Sequence, residues 1–466
     1  KAGKTIVNYN NNFRFSSPQN MPKQLDSYTW ALYMNDASVN AGSGIWFTEN
    51  KLAQIKAAQS DPTMQTMFEN SQGRWEIWDN NDLLPIANRD WLKSSFGTGF
   101  SQEHTVSATG GNEKLQYYFS ANYLGREGLL KYGEDKQERY TITGKIDAQV
   151  APWAKFTYNT RFSRTDYNAP VMMDGLYYHN MCRYWPIIPV YDPNGNFVVT
   201  GSNPGDLLNG GAYKTQKDIQ AHQFTLRLTP LKGLVVNAEM NYRVTNNMEH
   251  KDWLTTYGYD AKNNPFTFNN PNDAVYEYAY KSNYFNPNIY AEYSFDLKEK
   301  HNFKVMAGYQ SELLNQRWIS GQQYTIAAGL PTLNTTSKNP SVGGKYDSWS
   351  TMGVFGRINY DYQGKYLFEG NLRYDGTSRF LRDQRWHWSP SFSVGWNIAR
   401  ENFWKSLEQY VNTLKLRASW GELGNQNTTS WYPFYPTIGY SNMGGNWLIN
   451  GKKPNVASMP ALVSSS

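Results

Sequence analysis

Tyr140-Thr141-Ile142-Thr143-Gly144-Lys145-Ile146-Asp147-Ala148-Gln149-Val150 alternates without a break between two kinds of side chain. The even positions are Tyr140, Ile142, Gly144, Ile146, Ala148 and Val150; the odd ones are Thr141, Thr143, Lys145, Asp147 and Gln149. Successive side chains of an extended chain point to opposite faces, so this stretch has one apolar face and one charged face. Residues 234–245 repeat the pattern, with Leu234, Val236, Ala238, Met240, Tyr242 and Val244 set against Asn237, Glu239, Asn241, Arg243 and Thr245. Each run is about ten residues long, the length a tilted strand needs to cross a bilayer. Strands of soluble proteins more often stop at about five or six.

The same reading, less regular in places, predicts strands near 4–15, 101–110, 115–124, 139–150, 154–164, 220–229, 234–245, 286–297, 303–313, 350–362, 366–375, 388–398 and 413–421. Short connections follow every second strand: Gly110 to Lys114, Ala151-Pro152-Trp153, Thr229 to Gly233, Lys298 to Asn302 and Gln363-Gly364-Lys365. Between them fall long ones, at 16–100, 125–138, 165–219, 246–285, 314–349 and 376–387, while 399–412 is intermediate. Short turns on one side and long loops on the other are the rhythm of an antiparallel up-and-down transmembrane β-barrel. The 16–100 segment is a structured excursion in which Asp26 and Thr48 can cap short helices and Leu52 and Ile55 sit at helical spacing.

Composition agrees. Aromatic residues make up 16% of the chain, with 35 Tyr, 22 Phe and 17 Trp, yet the mean hydropathy is −0.70. A barrel reconciles these, since only every second residue meets lipid while the lumen stays polar. No run approaches the roughly 18 apolar residues of a membrane helix, so any spanning falls to strands. The formal charge of +6 is dispersed and does not argue for nucleic acid. A single cysteine, Cys182, excludes an intrachain disulfide and a Cys-rich metal site. Lys1 opens no signal peptide, so export is inferred from the barrel pattern.

No motif asks for an enzyme or a cofactor. Gly3-Lys4-Thr5 ends like a phosphate loop, but Thr5, Val7, Tyr9, Phe13 and Phe15 alternate as a strand. Asp192-Pro193-Asn194-Gly195-Asn196 begins like a calcium loop, but its sixth position is Phe197 and its twelfth Asn203, so a turn is expected. The histidines His104, His179, His222, His250, His301 and His387 show no metal-ligand spacing. Rings beside polar groups do cluster in the long connections: Tyr177, Tyr178, Arg183 and Trp185 in one, Asp252, Trp253 and Tyr257 in another, Trp318 and Trp349 in a third. Sugars offer C–H faces to rings and hydroxyls to polar groups, so these nine are the candidate substrate contacts. Girdle formation and loop packing compete for the same rings. Lys145, Asp147, Arg161, Glu239 and Arg243 are expected to face the lumen.

Several segments resemble one family. Tyr366-Leu367-Phe368-Glu369-Gly370-Asn371-Leu372-Arg373-Tyr374-Asp375-Gly376-Thr377-Ser378-Arg379-Phe380 is similar to a hallmark strand and turn of SusC/RagA-type TonB-dependent transporters. So are Ser389 to Trp396, Glu401-Asn402-Phe403, Leu416 to Gly421, Gly424-Asn425-Gln426, and the early hairpin from Ser107 to Ser120. The resemblance implies a bacterial outer-membrane barrel of about 22 strands around a plug, with a SusD-like lipoprotein as extracellular partner and TonB as energy source. It implies import of oligosaccharides, with peptides, siderophores or cobalamin as alternatives; an extracellular glycan-binding β protein without a pore is the distant one. Lys1-Ala2-Gly3-Lys4 looks like the junction leaving a plug, and Ser466 falls in what should be an extracellular loop. Residues 1–466 are thus expected to hold about thirteen barrel strands, without the plug or the C-terminal strands.

Overall fold

The structure, a computed structural model, describes residues 3–173, 175–201, 203–270, 272–327, 329–428, 430–435, 439–442, 451 and 455–458. Lys1, Ala2 and Ser466, which carry the expectations about the two ends, lie outside the described residues. Strand β1 (Gly3–Ser16) is followed by helices α1 (Ser27–Asn40), α2 (Glu49–Ser60) and α3 (Trp91–Ser95). Next come β2 (Gly99–Gly111), β3 (Leu115–Glu127), β4 (Lys136–Ala151), β5 (Ala154–Pro170), α4 (Gly175–Arg183) and α5 (Pro204–Asn209). They lead to β6 (Ala212–Leu231), β7 (Leu234–Trp253) and a small hairpin of β8 (Thr256–Tyr259) and β9 (Pro265–Asn269). The chain continues with β10 (Ala274–Leu297), β11 (His301–Ile326), β12 (Thr336–Tyr362), β13 (Tyr366–Thr377), β14 (Trp386–Asn397) and β15 (Lys415–Gly421). A final hairpin pairs β16 (Gly439–Asn442) with β17 (Asn455–Ser458).

Thirteen strands form one antiparallel meander in which β1 to β7 and β10 to β15 pair strictly with their neighbours in sequence. All thirteen strands read from the alternation are present. The sheet is open, with β1 and β15 as its two edges.

The register sorts the side chains into two faces. One cross-strand row runs Leu115, Ala148, Phe156, Leu226, Ala238, Ile289, Tyr309, Val354, Tyr374, Trp388, apolar or aromatic on ten consecutive strands. The next row, one residue along, runs Gln116, Asp147, Thr157, Thr225, Glu239, Asn288, Gln310, Gly353, Asp375, His387 and contains no large apolar side chain. A one-residue slip of any strand would exchange the two rows, so the register is strongly specified. Exposed Ile142, Ile146, Ile289, Val354 and Phe392 belong to the apolar face, which presents its side chains to lipid. Near the short turns a girdle crosses four strands, Phe295, Phe303, Tyr360 and Phe368, with Phe295–Phe303 and Phe303–Tyr360 centroids 5.1 and 5.0 Å apart. Lys145, Asp147, Arg161, Glu239 and Arg243 all fall on the polar face, where Asp147 lies 3.3 Å from Lys145 and 3.6 Å from Lys155.

The long connections are shorter than the alternation predicts. Strands β10, β11 and β12 run 24, 26 and 27 residues and continue well past the apolar band. Each carries roughly 40–50 Å of chain beyond it, at about 3.4 Å per residue. Asp252 and Trp253 therefore end β7, Trp318 lies within β11 and Trp349 within β12, so none of these four sits in a loop. The reason is physical: above the lipid both faces of the sheet meet water, and the apolar period that marks a spanning strand disappears. Thr336-Ser337-Lys338-Asn339-Pro340-Ser341 is strand without any apolar face.

The remaining connections pack on one another. Asp26 caps α1 by accepting the N–H groups of Tyr28 and Thr29, and Thr48 caps α2 through the N–H of Lys51. Ile55 on α2 is fully buried with Ala31, Phe47, Met67, Leu84 and Trp91, and residues 184–198 supply Tyr184, Ile187, Ile188, Val190 and Val198 to the same core. This cap is thus a shared core of two connections. Asp192 accepts the N–H groups of Asn194 and Asn196 in the expected turn, and Tyr191 bridges Phe197 behind it.

Candidate functional site

The overhanging parts of β6, β7 and β10 to β12 build a wall continuous with the polar lumenal face. Trp318 is opposite Tyr280 and Lys345, Trp349 is opposite Leu314, and Trp253 is opposite Ala274, all on that face. The Trp318 ring lies 6.0 Å from that of Tyr278. Lys251 Nζ is 4.6 Å from the Tyr213 ring and 5.7 Å from the Tyr276 ring, and the Arg243 guanidinium lies 5.2 Å over Tyr284. Asn247, Glu249, Gln316, Gln322 and Asp347 alternate with these rings on the same side. Such a surface holds a ligand by ring faces and amide or carboxylate edges together.

The other candidates are placed differently. Tyr177 is 1% exposed and packs with Leu92, Met181 and Leu207, and burial pushes its phenol well above the ordinary range. Its ring offers no face to a ligand. Tyr178, on the same helix, is exposed and stacks parallel to Phe96 at 6.3 Å. Arg183 is exposed with Nη1 2.7 Å from His179 Nε2. Trp185 is wedged among Trp30, Trp46 and Trp78, with ring centroids 5.2, 5.6 and 4.8 Å away. Asp252 points to the other side of the sheet, is 6% exposed, and accepts the backbone N–H of Ala212. Tyr257 is exposed on β8 over a hollow of about 430 Å³ that also involves Asn203, Asp206 and Thr256. There Asp206 accepts from Thr256 Oγ1 at 2.7 Å and Asn269 Nδ2 at 2.8 Å, and burial raises its carboxyl pKa. So Trp253, Trp318 and Trp349 share one wall, Tyr178, Arg183 and Tyr257 stand on the cap and its hairpin, and Tyr177, Trp185 and Asp252 are packing residues.

Sequence reasoning missed a cavity of about 620 Å³ on the lumenal side, lined by Glu312, Arg373, Asp375, Arg385, His387 and Glu422 among others. Arg373 forms two hydrogen bonds to Asp375 at 2.9 and 3.0 Å, and His387 Nε2 lies 3.3 Å from Glu422. The hallmark residues Gly376, Thr377, Phe380, Gly424, Asn425 and Gln426 line the same cavity. Beside it Arg379, only 9% exposed, lies 4.8 Å from the Trp349 ring and 5.7 Å from that of Trp431, and donates to the Gln426 carbonyl at 3.2 Å. Trp349 thereby joins the wall to this corner. The register puts Arg373 and Asp375 on the polar face, while Arg385 and Glu422 arrive from connections and leave no periodic signal. No group of acids, histidines or cysteines among the described residues has the geometry to hold a metal ion.

An aromatic-girdled sheet with one lipid face and one polar, ligand-sized face defines a transmembrane β-barrel wall. Residues 183–457 match the family described as TonB dependent receptor-like, beta-barrel, and the chain belongs to that family. It is an outer-membrane protein, of a family of transporters and not of enzymes. Among its relatives, SusC of Bacteroides thetaiotaomicron is 26% identical over 401 residues, covering 79% of this chain and 38% of the relative. TonB-dependent receptor P3 of Formosa agariphila is 25% identical over 372 residues, covering 75% and 35%. The chain thus spans about a third of the length of the curated relatives it matches. The RagAB peptide transporter structure superposes with a TM-score of 0.76 at 18% identity, covering 98% of this chain and 51% of that one, a likeness of fold.

Proposed function

We propose that the chain forms part of the barrel wall of a TonB-dependent importer of oligosaccharides, working with a SusD-like lipoprotein on the extracellular side. The observation that carries this reading is the lumenal wall, where Trp253, Trp318, Trp349 and five tyrosines alternate with Asn, Gln, Asp and Glu above the membrane. Rings receive the C–H faces of a sugar and the amides and carboxylates receive its hydroxyls, with no net charge demanded of the ligand. In this scheme the wall and the exposed Tyr178, Arg183 and Tyr257 collect the glycan beneath the lipoprotein, and TonB acting on a plug opens the polar lumen.

A second reading is import of short peptides. It is favoured by the cavity beneath Trp349, whose Arg373, Arg385, Asp375 and Glu422 offer both signs of charge to peptide termini.

Calorimetry on the full-length protein with its lipoprotein, titrated with neutral oligosaccharides and with short peptides, separates the two. The glycan reading expects heat from the oligosaccharides, weakened about tenfold or more by Trp318→Ala, since one lost ring contact is worth about 1–3 kcal/mol. Heat from peptides alone, weakened by Arg385→Gln and indifferent to Trp318→Ala, would refute it.

A further inference from the structure

Tyrosines stand in line along β10. Its lumenal positions from Tyr276 to Tyr290 are Tyr276, Tyr278, Tyr280, Ser282, Tyr284, Asn286, Asn288 and Tyr290, and every ring among them is half-buried. Alternate residues of a strand are about 7 Å apart, so the line covers roughly 45–50 Å of chain. Its upper end stands in the overhang. Its lower end is inside the barrel, because the outward neighbours Phe285 and Ile289 belong to the lipid band. The strands on either side lack such a line. Lumenal positions of β7 from Asn237 to Lys251 are polar without exception, and those of β11 from Gly308 to Gln322 carry a single ring, Trp318.

This arrangement is neither a girdle nor dry packing. A girdle runs across strands at one height on the lipid face, as Phe295, Phe303, Tyr360 and Phe368 do. The β10 tyrosines run along one strand through successive heights, on the opposite face. A surface meant for dry packing draws on Leu, Ile, Val and Phe, and none of these stands in the line. Tyrosine instead joins an apolar face to a polar tip. Neighbouring strands brace the rings. Lys251 Nζ lies 5.7 Å from the Tyr276 ring, the Trp318 ring 6.0 Å from Tyr278, and the Arg243 guanidinium 5.2 Å over Tyr284. The Tyr280 hydroxyl donates to Gln316 Oε1 at 3.0 Å. Facing Tyr290 is Gly308, where a Cβ would come within 2.7 Å of Tyr290 Cβ, and the Phe355 ring fills that space.

We propose that the lumenal face of β10 is a track that carries an unbranched, uncharged oligosaccharide from the overhang into the lumen. The inference rests on the glycan import proposed above and adds to it the route and the chain form of the cargo. Successive sugar units meet successive ring faces, and the polar strands on both sides take the hydroxyls. Charges on the β7 side balance, Arg243 and Lys251 against Glu239 and Glu249, so no net charge is asked of the chain. Several contacts of modest strength let a ligand enter and still move on, as a single deep site would not. A branch lifts neighbouring units off the rings, so linear chains are selected.

Uptake by cells carrying the full-length protein and its lipoprotein tests this, with labelled linear and branched hexasaccharides of glucose, mannose and xylose as probes. Rates are taken per molecule bound, below saturation. The unaltered protein should import the linear isomer of a bound sugar faster than the branched one. Tyr284→Leu with Tyr290→Leu keeps apolar bulk but removes two rings; it should slow the linear isomer about tenfold and erase the preference. Y284F/Y290F, which keeps the ring faces, should restore both. The preference of the unaltered protein remains a test even if the leucine variant fails to insert. Three results would overturn the track while leaving glycan import standing: no linear preference in the unaltered protein, an undiminished linear rate in Y284L/Y290L, or equal slowing of both isomers, which would make the two rings packing residues. Failure of the unaltered protein to bind any of the hexasaccharides would overturn the import reading and the track together.

Discussion

Trp185→Ala separates packing from ligand contact at the residue where the two were hardest to tell apart. The Trp185 ring touches three other indoles, at 4.8, 5.2 and 5.6 Å, which come from residues 30–78 while Trp185 itself comes from the connection between β5 and β6. Truncating a fully buried Trp costs about 3–5 kcal/mol, and ring pairs of this geometry add about 0.5–1.5 kcal/mol each. Trp185 is half-buried, so a loss of about 3 kcal/mol is expected, confined to the cap. Hydrogen exchange on the full-length protein in detergent reads it out locally. Amides of α1 and of residues 187–198 should exchange about a hundredfold faster, because the cap opens as a unit. Those of β10 to β12, held by their own ladders, should not change. Trp185→Phe should recover most of the protection. If protection at α1 is untouched while oligosaccharide binding is lost, Trp185 is a ligand contact and its assignment to the cap core is wrong.

Three other outcomes follow from the same structure. Burial lowers the pKa of Lys51 to about 8 from 10.5, although its ammonium reaches the Asp82 carbonyl at 3.1 Å and the Phe68 ring at 4.5 Å. Between those two values the unfolded chain binds more protons than the folded one, so cap stability should rise from pH 8 to 10 and then level off; Lys51→Met should abolish that rise in an exchange-versus-pH series. Lys298 and Glu299 both hold positive φ, 54° and 57°, in the turn joining β10 to β11. Lys298→Asn with Glu299→Gly should therefore stabilise the hairpin by about 1 kcal/mol, read as a higher midpoint in heat-modifiability gels. Gly364→Ala should do the reverse, since φ there is +68° and a Cβ would meet the Arg400 guanidinium.

The spanning strands were legible because lipid imposes a rule on one face, and Ile142, Ile146 and Val150 obey it against Thr143, Lys145 and Asp147. Their continuations were not, because Thr336 to Lys345 has water on both sides and needs no apolar period. The same loss of signal hid that Trp318 and Trp349 stand on strands, and so share a face. Tyr177 and Trp185 read alike in sequence as ring-rich loop. Only tertiary packing shows one sealed beneath Leu207 and the other locked by three indoles. The cavity of Arg373, Asp375, His387 and Glu422 draws on four strands and two connections, a convergence that no local pattern records.

The central claim is that adjacent rows of this sheet meet lipid and water in turn. A nitroxide scan over residues 236–245 of the full-length protein in bilayers tests it directly, after Cys182→Ser removes the exposed native thiol. Oxygen accessibility should peak at Val236, Ala238, Met240, Tyr242 and Val244, and nickel-chelate accessibility at Asn237, Glu239, Asn241, Arg243 and Thr245. Equal access of the chelate to both sets would contradict a membrane-spanning barrel wall.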